Sequence, residues 1–490
     1  MNTHNRMALG DVDAVEMRQH LHRVADWVAD YREGIAGRRI VPDVHPGDIT
    51  AGLASAMPQQ GEAVEVILAD VDRQVIPGIV HWGHPAFLGY FGSTSNGPAL
   101  LGEIIAAALN VSAMTWKTSP SATELETLVL GWIRDLVGLP ADLFGVVYDT
   151  ASVAVLHALA AAREKACPGT RQDGMAGRSD VPRLRVYASD QAHSSVDKAM
   201  VMLGLGESNV VRIPCDDEYR MDIAALKQAM EADVALGFRP MAAVATVGTT
   251  SSASVDPVAG VAAVCAAHGA WLHVDAAYGG AMGALPEGRW ITEGFERADS
   301  IVVNPHKWLF VPLDFSTLYL RNPSALREVF VNTAEYLRGD ATVAGEEAEV
   351  VNYMDYGIQL GRRFRALKAW MVLRSFGREG IAARIREHCR LANVFADWVE
   401  AAPTYELAAP VSMAVVCFRV VPAGLRAADV DALNERVVER VNASGDAYLT
   451  HTRLRGRTCM RIGIANIQTT EQHLARAWQC IAREVDALRS

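Results

Sequence analysis

Between residues 91 and 375, short apolar runs rich in β-branched residues alternate with segments of helical length. Four runs have this character: 184–188, 242–247, 271–274 and 300–303. Apolar strands separated by helices are typical of a mostly parallel sheet that is covered on both faces. The pattern therefore predicts an α/β domain over residues 91–375.

The two flanking regions have different patterns. Residues 1–90 contain two helix-like segments, 11–32 and 62–75, which are too short to bury a core of their own. This region is predicted to be a helical arm that packs on a partner, such as a second subunit. Residues 376–490 contain a helix, strands near 414–421 and 458–464, and a final helix, which predicts a smaller α+β domain.

Composition excludes several classes of protein. The formal net charge of -11 argues against a general nucleic-acid binder, which needs a basic surface to neutralise phosphates. No stretch reaches the roughly 18 apolar residues of a membrane span, and the first residues lack the apolar run of a signal peptide. The seven cysteines include no Cys-x-x-Cys pair, which favours reduced thiols over a disulfide framework or a zinc site. We expect a cytoplasmic enzyme that binds no metal, nucleic acid or membrane.

Lysine is rare in this arginine-rich chain, so lysine chemistry has six candidates. Five of them lie in helical or mixed segments where a solvated cation is expected: Lys117, Lys165, Lys198, Lys227 and Lys368. Lys307 differs because it follows one apolar strand and precedes another apolar run. Loss of water there favours the neutral, nucleophilic amine, which makes Lys307 a candidate for Schiff-base chemistry. The alternative is a buried lysine paired with a carboxylate.

Two further side chains follow predicted strands. Asp275 comes directly after the run at 271–274, and the carboxyl ends of strands in open α/β sheets line the ligand crevice. A buried carboxylate needs a cationic partner, and an aspartate on a pyridinium nitrogen together with a Schiff-base lysine is expected of pyridoxal phosphate (PLP) enzymes. His193 follows the run at 184–188 and could stack on a cofactor ring. Taken alone, His193 is equally compatible with a capping or packed histidine.

Several motifs together resemble the group II PLP-dependent decarboxylases, with the nearest likeness to the aromatic-L-amino-acid decarboxylases. The motifs are 81–85 (His-Trp-Gly-His-Pro), 119–126 (Ser-Pro-Ser-Ala-Thr-Glu-Leu-Glu), 192–195 (Ala-His-Ser-Ser), 246–250 (Thr-Val-Gly-Thr-Thr), 273–278 (His-Val-Asp-Ala-Ala-Tyr), 304–308 (Asn-Pro-His-Lys-Trp) and 360–370 (Leu-Gly-Arg-Arg-Phe-Arg-Ala-Leu-Lys-Ala-Trp). An ordered set of this kind is far more specific than a single His-Lys pair. The resemblance implies PLP as cofactor, the fold type I (aspartate-aminotransferase-like) architecture, and a homodimer with active sites at the subunit interface.

The resemblance also implies a role for each matching residue. Lys307 corresponds to the lysine that carries the cofactor, Asp275 to the carboxylate on the pyridine nitrogen, and His193 to the ring that stacks on the cofactor. Tyr353 corresponds to the tyrosine that protonates the carbanion carbon after CO2 leaves. The other implied cofactor contacts are Thr246 beside the ring, Thr150, Ala151 and Ser152 at the phosphate, and Asn304 and His306. The implied substrate pocket comprises Trp82, Tyr90, Phe91, Met114, Trp116 and Gly361.

The implied reaction converts an aromatic L-amino acid of the tryptophan, tyrosine, phenylalanine or Dopa type into an arylalkylamine and CO2. The main alternative is an aromatic acetaldehyde synthase, which couples decarboxylation to oxidative deamination; Tyr353 favours simple decarboxylation because such synthases often have Phe there. Decarboxylation of an acidic amino acid is disfavoured because Trp82, Tyr90 and Met114 offer no cation for a second carboxylate. An aminotransferase, which would need an arginine for the α-carboxylate, and a cofactor-binding protein without activity remain open.

Two segments near the implied site are a phosphate-binding segment with unusual residues and a loop-like segment. In the phosphate segment, Asp149 stands where relatives usually have Gly and Val153 where they usually have Glu. Asp149 would repel a phosphate unless its side chain points away. Residues 340–350 have the composition of a loop and are interpreted as a lid that excludes water.

Overall fold

The computed structural model describes residues 12–92, 94–331 and 350–489. Two compact units divide the chain. One comprises Met1–Leu88, Arg436–Leu449 and Gln468–Ser490, and the other comprises Gly89–Glu435 and Thr450–Ile467. The predicted division into 1–90, 91–375 and 376–490 stays a prediction. The predicted lid at 340–350 lies outside the described residues, except for Val350.

Helices and strands alternate through most of the described chain. The strands are β1 (Phe144–Tyr148), β2 (Leu184–Ser189), β3 (Val210–Ile213), β4 (Arg239–Thr246), β5 (Trp271–Asp275), β6 (Ser300–Val303), β7 (Ser316–Leu320), β8 (Tyr405–Leu407), β9 (Val415–Val420), β10 (Thr450–Leu454) and β11 (Arg457–Gly463). The α-helices are α1 (Ala14–Gly34), α2 (Asp48–Gly52), α3 (Val64–Asp70), α4 (Gly97–Leu109), α5 (Pro120–Val137), α6 (Ala151–Ala166), α7 (Thr170–Asp173), α8 (Ser195–Met202), α9 (Ile223–Ala235), α10 (Val258–His268), α11 (Pro305–Trp308), α12 (Ser324–Phe330), α13 (Ala366–Ala401), α14 (Ala427–Ser444) and α15 (Glu471–Arg489).

A seven-stranded sheet forms the core of the second unit, in the order β1-β7-β6-β5-β4-β2-β3. Strands β3, β2, β4, β5 and β6 pair in parallel, whereas β7 is antiparallel to both of its neighbours. The four predicted apolar runs are β2, β4, β5 and β6. Every residue of β5 and β6 is buried, so both faces of the sheet are covered there. The mostly parallel sheet predicted from the alternating pattern is confirmed.

A smaller antiparallel sheet in the same unit has the order β10-β11-β9-β8. The two strands predicted near 414–421 and 458–464 are β9 and β11, which pair directly. Helix α13 packs against β8 and β9. The mixed α+β character predicted for this part of the chain is therefore confirmed.

Within the first unit, α1 contributes no buried side chain, whereas α14 and α15 contribute several. Helix α1 begins after Asp13, whose carboxylate accepts the N–H groups of Val15 and Glu16, and none of its residues is buried. A small apolar cluster joins Ile40, Ala86 and Phe87, and the Phe87 ring stacks on Tyr448 with centroids 4.8 Å apart. None of the helices in the described ranges has the length and apolar character needed to cross a membrane.

One lysine prediction is wrong. Lys368, on α13, was expected to be solvated, but its side chain is 1% exposed and its Nζ donates to Glu103 Oε1 at 2.6 Å. The cause is the close packing of α4 on α13: a Cβ added at Gly102 would lie 2.6 Å from the Cα of Lys368. The residues around Lys368 do not indicate that α4 packs there, because α4 is distant along the chain.

Candidate active site

The side chains predicted to contact the cofactor gather at the carboxyl edge of the large sheet. Strand β4 ends at Thr246 and β5 at Asp275, and the strand register pairs these two residues. Lys307 follows β6 within the short helix α11, and His193 lies between β2 and α8. Since parallel strands end at the same edge, each segment that follows a strand brings its side chain to one place.

These side chains line a cavity of about 160 Å³. All nine residues predicted to contact the cofactor line it: Thr150, Ala151, Ser152, His193, Thr246, Asp275, Asn304, His306 and Lys307. Phe91, predicted as a substrate contact, lines it as well. Four further lining residues were not predicted: Gly248, Thr250, Ala277 and Tyr278. Gly248 has φ +88°, and a Cβ there would lie 2.8 Å from the Gly279 backbone nitrogen, so glycine lets the chain turn tightly after β4.

Lys307 combines a partly buried amine with a lowered pKa. Burial lowers the pKa of Lys307 below its usual value; the Asp275 carboxylate opposes this shift and the Arg461 guanidinium adds to it. The Nζ lies 4.8 Å from the centroid of the Phe91 ring. A lowered pKa raises the share of neutral amine near pH 7, which is the form that attacks a carbonyl carbon.

Asp275 is a buried carboxylate with spare hydrogen-bonding capacity. It is 6% exposed, and its Oδ1 accepts the Ala277 N–H at 3.1 Å. Within the described ranges, no arginine or lysine forms an ion pair with it. A buried carboxylate without a cation is costly, so the arrangement favours a cationic group from a ligand.

Two histidines at the cavity each use Nδ1 as an acceptor. The N–H of Ser195 donates to His193 Nδ1 at 3.1 Å, and the N–H of Phe315 donates to His306 Nδ1 at 3.0 Å. Burial lowers the pKa of His306 to about 3, with Lys307 acting in the same direction. Burial also lowers the pKa of His193, which Asp275 opposes. Both rings are neutral near pH 7 and carry their proton on Nε2.

A helix N-terminus forms one end of the cavity. Helix α6 begins at Ala151 after Thr150, and its first N–H groups have no partner within the helix, which suits an anion. The Asp149 carboxylate does not line the cavity, because its Oδ1 turns back to accept the Thr150 N–H at 2.7 Å. The repulsion between Asp149 and a phosphate that the sequence suggested is therefore reduced. The Thr150 N–H, however, is used by Asp149 and is not free to bind an anion.

Two aromatic rings that line the cavity, Phe91 and Tyr278, contact further side chains behind them, including an arginine that the sequence analysis did not single out. Phe91 stacks on Tyr278 with centroids 3.9 Å apart, and Tyr278 stacks on Trp308. Arg461, on β11, is 4% exposed and its Cζ lies 4.7 Å from the Phe91 ring centroid. It donates to the carbonyls of Tyr90 and Ser251, and one of its terminal nitrogens is buried without a hydrogen-bond partner.

Tyr353 and two predicted substrate contacts lie in a different cluster. The Tyr353 side chain is buried, its hydroxyl is 2.8 Å from Thr127 Oγ1, and its ring lies beneath Arg362. Met114 accepts the N–H of Met354, the residue after Tyr353, and Trp116 Nε1 donates to Glu124. None of these residues lines the cavity around Lys307 in this chain. The role of Tyr353 as proton donor stays a prediction.

The other predicted substrate contacts do not line the cavity either. Tyr90 is 49% exposed with φ +55°, and Gly361 is exposed with open space where a Cβ would lie. Trp82 belongs to the first unit, where it stacks on Phe87 with centroids 4.7 Å apart. Their substrate roles stay predictions.

The cavity has the groups that PLP requires. The N-terminus of α6 suits its phosphate, the Lys307 amine its aldehyde, and the unpaired Asp275 carboxylate its pyridine nitrogen. The Thr246 hydroxyl is buried without a hydrogen-bond partner and lines the same cavity, so it is available to a bound ligand. The fold and this donor set define a PLP-dependent enzyme of fold type I.

The chain belongs to the pyridoxal-dependent decarboxylases: residues 46–421 match the pyridoxal-dependent decarboxylase conserved domain. It is 38% identical to tryptophan decarboxylase 1 of Oryza sativa, over 96% of this chain and 94% of that protein. It is 36% identical to phenylacetaldehyde synthase of Arabidopsis thaliana, over 98% of both chains. The crystal structure of Oryza sativa TDC with PLP and tryptamine superposes with a TM-score of 0.94, at 36% identity over 98% of this chain and all of that one. The protein is a PLP-dependent carboxy-lyase, as the motifs predicted.

Proposed function

We propose that the protein decarboxylates an aromatic L-amino acid to the corresponding arylalkylamine and CO2. The observation that carries the proposal is the single cavity that joins Lys307, Asp275 and His193 with the N-terminus of α6. The aromatic wall of Phe91 and Tyr278 beside Lys307 supports an aromatic substrate. The similarity to a tryptophan decarboxylase over nearly the whole chain supports the same reaction.

Each residue contributes through its charge and position. PLP, when bound, supplies a protonated pyridine ring that takes up the electron pair left behind as CO2 departs. Asp275 keeps the proton on the ring nitrogen because a buried carboxylate without another cation favours the charged form of its neighbour. Lys307 offers its neutral amine to the aldehyde group. His193, neutral and protonated at Nε2, would cover the cofactor ring and donate a hydrogen bond.

The phosphate end of the cavity fixes the orientation of the cofactor. N–H groups at the start of α6 would donate to phosphate oxygens of PLP, and Thr150 and Ser152 would add hydroxyl groups. His306 lines the same cavity with its Nε2 proton available, because its Nδ1 is already used by Phe315. Anchoring PLP at its phosphate end and at its ring end would hold the bond to be broken in one orientation. This positioning would supply a large part of the rate acceleration.

A panel of amino acids tests the proposed reaction. The holoenzyme is supplied with tryptophan, tyrosine, phenylalanine, Dopa and glutamate, and amine, CO2, ammonia and hydrogen peroxide are all quantified. We expect amine and CO2 in equal amounts from at least one aromatic substrate. The Lys307→Ala variant is expected to lose both the visible cofactor band and the activity, whereas Lys227→Ala, an exposed lysine paired with Glu231, keeps both.

An aromatic acetaldehyde synthase is the second candidate, and the similarity to phenylacetaldehyde synthase favours it. The same panel separates the two reactions, because a synthase releases ammonia and hydrogen peroxide together with CO2. Peroxide in equal amount to CO2 would exclude the simple decarboxylase. Decarboxylation of glutamate alone would exclude both.

We also propose that the protein is a cytoplasmic homodimer. Helix α1 has no buried residue, and apolar side chains on α4 are exposed, which supports a partner for each. All seven cysteines are free thiols, which supports a reducing compartment. Recovery of the native protein in a membrane fraction or in an oxidising compartment would contradict the location; the dimer is tested below.

A further inference from the structure

A second and larger cavity is lined only by residues of the first unit. None of the residues proposed for catalysis is among them. Its volume is about 540 Å³. Its walls are the segment 36–39 after α1, the turn near His84, the turn at 444–446 and one face of α15. On α15 the lining residues His473, Arg476, Cys480 and Arg483 follow helical spacing, so they form a single stripe along the cavity.

The lining is strongly basic. Four arginines face the cavity, Arg38, Arg39, Arg476 and Arg483, together with His84 and His473, whereas Asp446 is the single carboxylate among the lining residues. Asp446 lies 3.4 Å from Arg483, which also contacts Glu484, so this arginine is already compensated. The positive charge of the other three arginines is not balanced by a carboxylate in the lining.

Two of these arginines have free donor capacity. Within the described residues, neither Arg38 nor Arg476 forms an ion pair or a side-chain hydrogen bond. Arg38 lies over the Tyr31 ring, with its Cζ 5.4 Å from the centroid. Arg39 differs, since its guanidinium donates to the carbonyls of Val41, Ala443 and Ser444 and thereby covers the C-terminal end of α14.

The basic groups act on one another across the cavity. Burial lowers the pKa of His473, and Arg476 lowers it further. The pKa of His84 is lowered by burial and by its neighbours His473 and His81. Protonation of these two histidines is therefore disfavoured beside the arginines, and a multiply charged anion in the cavity would offset the positive charge of the guanidinium groups.

We propose that this cavity binds a small polyphosphate anion, such as the phosphate chain of a nucleotide or inorganic tripolyphosphate. The volume falls within the roughly 300–1,000 Å³ of small-molecule sites. Guanidinium groups bind phosphate oxygens through paired, charge-assisted hydrogen bonds, and Arg38 and Arg476 have those donors free. A polyphosphate carries several negative charges close together. It therefore matches several arginines around one cavity better than a ligand with a single carboxylate does.

Calorimetric titration of the holoenzyme with inorganic tripolyphosphate tests the site. In the holoenzyme, bound PLP would block the anion site at the N-terminus of α6. An unchanged visible absorbance band of PLP would show that tripolyphosphate does not displace it. We expect saturable binding of one tripolyphosphate per chain. The Arg38→Gln/Arg476→Gln double variant is expected to bind at least about tenfold more weakly, and Arg436→Gln, an exposed arginine of the same unit outside the cavity, is expected to bind like the wild type.

Three outcomes would overturn the proposal. The first is the absence of saturable binding at millimolar tripolyphosphate. The second is an equal loss of affinity in the double variant and in Arg436→Gln, which would show binding to general surface charge. The third is equally tight binding of citrate at matched ionic strength, which would show that the cavity does not select phosphate. Melting curves of each variant exclude unfolding as the cause, and the decarboxylase assay is a separate readout.

Discussion

At the scale of single residues, the active site depends on a carboxylate that has no cation of its own. Asp275 accepts one backbone N–H and has remaining capacity inside the cavity. Asp275→Asn keeps the shape of the side chain but removes the charge that is proposed to hold the pyridine nitrogen protonated. We expect kcat/KM to fall by about 10²- to 10³-fold, together with weaker PLP retention. Steady-state assays check this against Asp142→Asn, an exposed carboxylate outside the cavity; equal activity of the two variants would contradict the role.

Arg461 is predicted to tune the nucleophile without contacting the substrate. Its positive charge is one cause of the lowered pKa of Lys307, so Arg461→Met is expected to raise that pKa. A higher pKa leaves more of the amine protonated at a given pH, and the acid limb of cofactor rebinding by apoenzyme moves to higher pH. Stopped-flow absorbance across pH measures this limb. Arg461→Lys keeps the charge and is expected to leave the limb unmoved; identical profiles for all three proteins would disprove the coupling.

The predictability of the site follows from how each residue reaches it. Lys307, Asp275 and His193 were predicted from their positions after apolar strands, and the other six proposed cofactor residues from the family motifs; all nine line one cavity. Arg461 reaches Phe91 from β11 of the second sheet, and no local pattern indicates that long-range contact. Tyr353 matched a family position by spacing along the sequence, yet its hydroxyl packs against Thr127. Spacing along a chain does not specify which side chain faces a cavity.

At the scale of elements, the packing of α4 on α13 is set by a glycine. In a helix with free space, Gly→Ala stabilises by up to about 1 kcal/mol. At Gly102 the added Cβ would lie 2.6 Å from the Cα of Lys368, a backbone atom that cannot rotate away. We expect Gly102→Ala to lower the melting temperature of the holoenzyme, because separating the two helices costs about 1–3 kcal/mol.

A second helical glycine provides the matched control. Gly131, on α5, has nothing within 4 Å of an added Cβ, so Gly131→Ala is expected to leave the melting temperature unchanged or raise it. Differential scanning fluorimetry of both variants, with saturating PLP, decides the sign. A shift of both variants in the same direction would show that the close approach at Gly102 is not what limits the packing.

The strands differ in how well they could be predicted from their sequences. Strands β2, β4, β5 and β6 are buried, apolar and mostly parallel, and they were predicted within a few residues. In the large sheet β1, β3 and β7 were missed, and in the small sheet β8 and β10. Strand β3 lies at the sheet edge and has only one fully buried residue, so its apolar signal is weak. Strand β7 contains Ser316 and Thr317, whose hydroxyls bond to Asn304 and to the Val303 carbonyl, so its polar residues are satisfied inside the core.

At the scale of the whole molecule, exposed apolar side chains support the proposed second subunit. On α4, Leu101, Ile104, Ile105 and Leu109 are each between 44% and 56% exposed. Their spacing places them on one helical face. A contiguous exposed apolar face of this kind is typical of a protein interface. The family resemblance independently implies a homodimer, so we expect this face to be covered by a second copy of the chain.

Charge on that face is predicted to dissociate the proposed dimer. A Leu101→Lys/Ile104→Lys double variant would place two cations per chain in the interface, where an unpaired buried charge costs several kcal/mol. Light scattering coupled to size exclusion should give a dimer for the wild type and a monomer for the double variant at the same concentration. Leu236→Lys, in a highly exposed position beyond α9, controls for loss of apolar surface and should remain dimeric. If the active sites lie at the interface, decarboxylation falls together with the dimer fraction; a monomeric wild type, or a double variant that stays dimeric, would contradict the assignment of this face.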